Sequence, residues 1–94
     1  MVITVKFIGA LRYLSGKKEL SVEYAPNCSL KDCITKISGE MPALKSSLLD
    51  SNTDDPKPNA LILVNGKEIS VLNGLETKIK NNDEIVFIPV VHGG

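Results

Sequence analysis

The chain is 94 residues long, enough for one small core and too short for a second domain, so residues 1–94 are expected to form a single unit. Hydrophobic residues make up 43% of it, and eleven basic side chains balance eleven acidic ones that are dispersed along the sequence. That balance argues against nucleic acid or an anionic membrane as a partner. The lack of a basic leader or an apolar run of about 18 residues predicts an intracellular, cytoplasmic protein.

Residues 2 to 8 alternate, with Ile3, Val5 and Phe7 on one face and Thr4 and Lys6 on the other, which predicts a half-buried strand. Gly9 to Lys18 breaks the pattern and is expected to be a long hairpin loop. Alternation resumes from Glu19 to Tyr24, with Leu20, Val22 and Tyr24 sharing a side. After Pro26-Asn27, Ser29 and Asp32 form a capping-box variant, and Leu30, Cys33, Ile34 and Ile37 follow at the spacing of one helical stripe. A helix should therefore begin at Ser29 and end at Gly39. Leu44, Leu48 and Leu49, behind Pro42, suggest a short second helix or turn, and Ser51 to Pro58 a polar loop containing the solvated pair Asp54-Asp55.

Ala60 to Val64 is an apolar strand ending in Asn65-Gly66, a strong signal for a type I′ hairpin, with Lys67 to Val71 as the return strand. A single helical turn is expected over Leu75 to Ile79. The last strand is Glu84 to Ile88, and Pro89, which has no N–H, should start a flexible tail over 89–94. The order strand, strand, helix, strand, strand, strand describes an α+β protein, a sheet with one main helix across it.

Cys28 and Cys33 are separated by four residues, which matches neither a CxxC redox motif nor paired zinc ligands. With His92 the one histidine, no metal site is expected. Two cysteines are also too few for a [2Fe-2S] cluster, and Cys33 falls on the apolar stripe as a core residue. There is no Ser/His/Asp set and no phosphate-binding glycine loop, so catalysis by the chain itself is not expected.

The sequence closes on Val91-His92-Gly93-Gly94. Two glycines are costly to order, so this end reads either as an ordinary flexible terminus or, since it lacks Cβ atoms, as a segment slim enough to pass through a narrow channel and carry a carboxylate into a partner. His92 on such a tail is read as a solvated or partner-contacting residue.

The element order, the Leu63-Val64-Asn65-Gly66-Lys67 turn, the strand from Asn82 to Pro89 and the terminal His92-Gly93-Gly94 together resemble the β-grasp ubiquitin-like proteins. More narrowly they resemble the sulfur-carrier and ubiquitin-related-modifier branch, which includes small archaeal modifier proteins and the small subunit of molybdopterin synthase. Phe7, Leu11-Arg12 and Gly16 are similar to the latter subunits, whereas Val91-His92-Gly93-Gly94 is similar to the modifiers. The resemblance implies a carrier, not an enzyme, and no stably bound cofactor. An E1-like activating enzyme would use ATP to convert the carboxylate of Gly94 to an acyl-adenylate. Sulfur would then give a thiocarboxylate, or a target lysine an isopeptide bond.

Strand alternation puts Val86 and Ile88 opposite the core-facing Ile85 and Phe87, and the resemblance adds Leu63 to them as a partner-binding patch. The other partners it implies are a molybdopterin synthase large subunit and, for modified targets, a proteasome. Two alternatives stay open: a sulfur-donating subunit of molybdopterin synthase, and a β-grasp adaptor whose tail is inert.

Overall fold

The structure, a computed structural model, describes residues 1–44 and 60–89. Its strands are β1 (Val2–Phe7), β2 (Glu19–Glu23), β3 (Ala60–Val64), β4 (Lys67–Glu68) and β5 (Glu84–Pro89), and its helices are α1 (Ala10–Ser15) and α2 (Leu30–Glu40). They build one sheet in the order β2-β1-β5-β3-β4, in which β1 and β5 run parallel and the other neighbours antiparallel. This is the mixed sheet of the β-grasp expectation.

The core follows from the alternation. Ile3, Val5 and Phe7 of β1 and Ile85 and Phe87 of β5 are fully buried, and Phe7 lies beside Phe87 in the parallel register with their rings stacked at 6.0 Å. Leu30, Cys33, Ile34 and Ile37 of α2 join the same cluster. Ser29 caps α2 in a full capping box, its hydroxyl accepting from the Asp32 N–H and the Asp32 carboxylate accepting from the Ser29 N–H, each at 3.2 Å. Those bonds stabilise the charged carboxylate and hold Asp32 below the usual range.

Several boundaries differ from expectation. The segment 9–18 is not all loop, since Ala10–Ser15 forms α1 between Gly9 and a left-handed Gly16. Gly39 does not end α2, which continues to Glu40 with Met41 as its cap. The return strand stops at Glu68, because the Glu68 carboxylate accepts the Ser70 N–H at 2.7 Å and the Ser70 hydroxyl, turning Ile69–Val71 into a 3-10 turn. A second 3-10 turn covers Gly74–Glu76, earlier than the expected Leu75 to Ile79. Finally β5 includes Pro89, which pairs with Ala60, so the tail does not begin there. At the last position of a strand the missing donor costs the ladder little. Residues 42–44 are helical and Leu44 is buried, whereas Leu48, Leu49 and the loop with Asp54-Asp55 lie outside the described residues.

Candidate functional site

β5 is the strand from which a functional site can be assembled, because it occupies the middle of the sheet and leads toward residues 90–94. Its end is enclosed by the connection from β1 to α1. The Ile8 N–H donates to the Phe87 carbonyl at 3.1 Å, and the chain then turns at Gly9 with φ 60° and ψ −133°. A Cβ on Gly9 would lie 3.3 Å from Pro89 Cγ, so both the backbone angle and the neighbouring proline favour glycine. Arg12 on α1 reaches back, its Nε donating to the Phe7 carbonyl at 3.4 Å. Arg12, Lys6 and Lys18 border a hollow of about 310 Å³ beside this end of the sheet, together with Glu19.

The face of the sheet turned away from α2 carries the residues singled out as a patch. Val86 and Ile88 are half-buried there, on the opposite face from the fully buried Ile85 and Phe87. Leu63 lies directly across from Val86, and Leu61 directly across from Ile88, giving two adjacent apolar cross-strand pairs. Leu61 was not singled out from sequence, although it shares the parity of Leu63. The continuous apolar run of β3 conceals which residues face which way. Ile8, 37% exposed, extends the same side past the end of β1. Along β1 the border is ionic: Lys6 Nζ is 2.9 Å from Glu84 Oε2, and this hydrogen-bonded pairing raises the lysine's pKa.

Val91, His92, Gly93 and Gly94 lie outside the described residues. Cys33 is fully buried in the core, and loss of solvation, reinforced by the adjacent Cys28, pushes its thiol up to about 12. Among the described residues, no helix is long and apolar enough to cross a membrane.

A five-stranded β-grasp sheet with a half-buried apolar face, whose central strand runs on to a diglycine, defines the class of ubiquitin-like modifiers and sulfur carriers. The profile of one family in that class, Urm1 (Ubiquitin related modifier), matches residues 2–94, and the chain belongs to that family. It is similar to small archaeal modifier protein 3 of Haloferax volcanii, with 24% identity over the whole of both chains. The solution structure of small archaeal modifier protein 1 from Methanosarcina acetivorans superposes with a TM-score of 0.87 and 31% identity, over 99% of this chain and 96% of that one. The CysO chain type is also similar: the crystal structure of the BexX/CysO complex from Amycolatopsis orientalis matches with a TM-score of 0.76 and 25% identity, over 98% and 99% of the two chains. The chain is thus a small carrier of the kind that works with other proteins.

Proposed function

We propose that Gly94 is the reacting residue and that the chain is a protein cosubstrate for an ATP-dependent, E1-like activating enzyme. A carboxylate is a poor acyl donor. Attack of the Gly94 carboxylate on the α-phosphorus of ATP releases pyrophosphate and leaves an acyl-adenylate. A lysine amine that attacks the acyl carbon displaces AMP and forms an isopeptide bond, whereas a hydrosulfide equivalent displaces AMP and leaves a thiocarboxylate. The partner supplies the catalysis, and this chain supplies positioning, an effect that reaches about 7 to 11 kcal/mol in well-oriented systems.

The observation that carries the reading is that one strand serves both ends of it. β5 contributes Val86 and Ile88 to the apolar face and ends at Pro89, five residues before Gly94, and the family match extends through that diglycine. A partner docked on Leu61, Leu63, Val86 and Ile88 would hold the root of the segment it must thread. On this reading the protein acts in the cytoplasm, where ATP and the activating enzyme are available.

The test is reconstitution with the activating enzyme, ATP and a sulfur donor, followed by intact mass and peptide analysis of wild type and of a Gly94 deletion. Replacement of one C-terminal oxygen by sulfur, or adducts on lysines, is expected for wild type and neither for the deletion. Trypsin cuts after Lys80 and finds no later site, so each adduct would carry Asn81–Gly94 unless His92→Arg is introduced to leave a diglycine. Thiocarboxylate without lysine adducts would assign the protein to sulfur delivery, as in a molybdopterin synthase. No product from a competent enzyme would leave an adaptor with an inert tail. Leu63→Glu is expected to weaken enzyme binding at least tenfold, or about 1.4 kcal/mol, with the thermal midpoint little changed.

A further inference from the structure

Cys28 and Cys33 flank the capping box of α2. Cys28 immediately precedes the cap residue Ser29, and Cys33 is the fourth residue of the helix. Side chains at these two positions pack across the first helical turn, ordinarily as a pair of hydrocarbons that fixes the angle at which the chain enters the helix. In this protein the pair consists of two thiols, with their Sγ atoms 3.9 Å apart.

The surrounding backbone is anchored. The Ile79 N–H donates to the Cys28 carbonyl at 3.0 Å, the Leu30 N–H donates to the Thr77 carbonyl at 2.9 Å, and Ser29 bridges Lys78 between those contacts. The Cys33 carbonyl accepts from the Tyr24 hydroxyl at 3.3 Å. A disulfide requires the sulfurs to close from 3.9 Å to about 2.05 Å. Cys28 is half-buried and Cys33 fully buried, so an oxidant meets Cys28 first.

We propose that Cys28 and Cys33 form a reversible oxidation site, in which a peroxide converts the paired thiols to an intramolecular disulfide across the first turn of α2. The Cys28 sulfur attacks one peroxide oxygen, the O–O bond breaks, and a sulfenic acid forms as the first water leaves. The Cys33 sulfur then attacks the Cys28 sulfur, the S–O bond breaks, and the second water carries away the remaining thiol proton. Two thiols and one hydrogen peroxide thus give one disulfide and two waters, the sulfurs losing two electrons and the peroxide gaining them. Burial disfavours the Cys33 thiolate, which makes the second step the slow one. The pair sits beside the segment 77–79 that leads into the start of β5, and Pro89 lies at the other end of that strand.

The experiment treats the full-length protein with a small excess of hydrogen peroxide and follows intact mass, free-thiol content and non-reducing peptide maps, with dithiothreitol added to a parallel sample. The expected result is a monomer that loses two hydrogens and both titratable thiols, yields a Cys28–Cys33 cross-linked peptide, and recovers both thiols on reduction. Cys33→Ser should instead accumulate a Cys28 sulfenic acid that dimedone traps. The proposal is overturned if dimedone added only after thiol loss is complete still gives that same adduct in full yield on wild type, if Cys28 goes on to sulfinic acid while Cys33 stays a thiol, or if the product is a disulfide-linked dimer. The wild-type measurement stands even if a variant fails to fold.

Discussion

α1 and α2 lie in one small domain and are stabilised in opposite ways. α2 has eleven residues, a reciprocal capping box, and Leu30, Cys33, Ile34, Ile37 and Ser38 buried along one side. α1 has six residues, begins at Gly9 without any side-chain cap, and buries Leu11 alone, while Tyr13 is 88% exposed. Helices this short are marginal in isolation, so α1 depends on the burial of Leu11 and the turns at Gly9 and Gly16, whereas α2 adds to its packing a cap and an apolar stripe written in its own residues. Local order set by context and local order set by sequence are thus found on one scaffold, and the context-dependent helix is the one beside the root of the tail.

The largest effect is expected from Ile34→Ala. Removing a fully buried side chain between α2 and the sheet should destabilise the whole protein by about 2 to 5 kcal/mol, seen as a lower urea midpoint with an unchanged slope. If only α2 unfolded, the two helices would be less different than they look. Leu11→Ala is expected to cost less, about 2 kcal/mol, with amide exchange accelerating in residues 10–15 well before the rest of the chain. A uniform acceleration would show that α1 is integral to the fold. Ser29→Ala removes the cap and should cost about 1 kcal/mol.

The smallest effect is a pH dependence. The folded pKa of Asp32 is depressed by its bonds to Ser29, so the folded state binds the proton less readily than the unfolded chain. Its contribution is complete above the unfolded value of about 4 and declines as pH falls through the lower folded value. Between about pH 5 and about pH 2 the wild type should therefore lose more stability than Asp32→Asn, which lacks this titration. Equal losses would mean that the capping box does not sense protonation of Asp32.

The same contrast explains what was legible in the sequence. The stripe Leu30, Cys33, Ile34, Ile37 and the box Ser29-Asp32 carry the identity of α2 within themselves, as the alternations in β1 and β5 do for those strands. Ala10–Ser15 carries no such signal, since one buried leucine has no periodicity and the bracketing glycines look like loop. Gly39 misled in the other direction: its position after Ser38 suggests a stop, but nothing lies within 4 Å of its Cβ position and the helix passes through it. At the candidate site, the diglycine and the parity of Val86 and Ile88 were legible, while the pairing of Leu61 with Ile88 needed the register of β3 against β5. The enclosure of Pro89 by Gly9 was equally invisible, because it joins residues eighty positions apart.

The parallel pairing of β1 with β5 has a consequence for how the protein is made. The centre of the sheet joins Thr4 to Glu84 and Phe7 to Phe87, so during synthesis the nascent chain cannot assemble its core until Phe87 has left the ribosome. Before then, β1–β2 and β3–β4 are separate pieces with no strand between them. A product broken off before residue 84 would offer partners no folded surface and would be open to proteolysis. Folding thereby separates chains translated past Phe87 from shorter ones, since only the former can close the centre of the sheet.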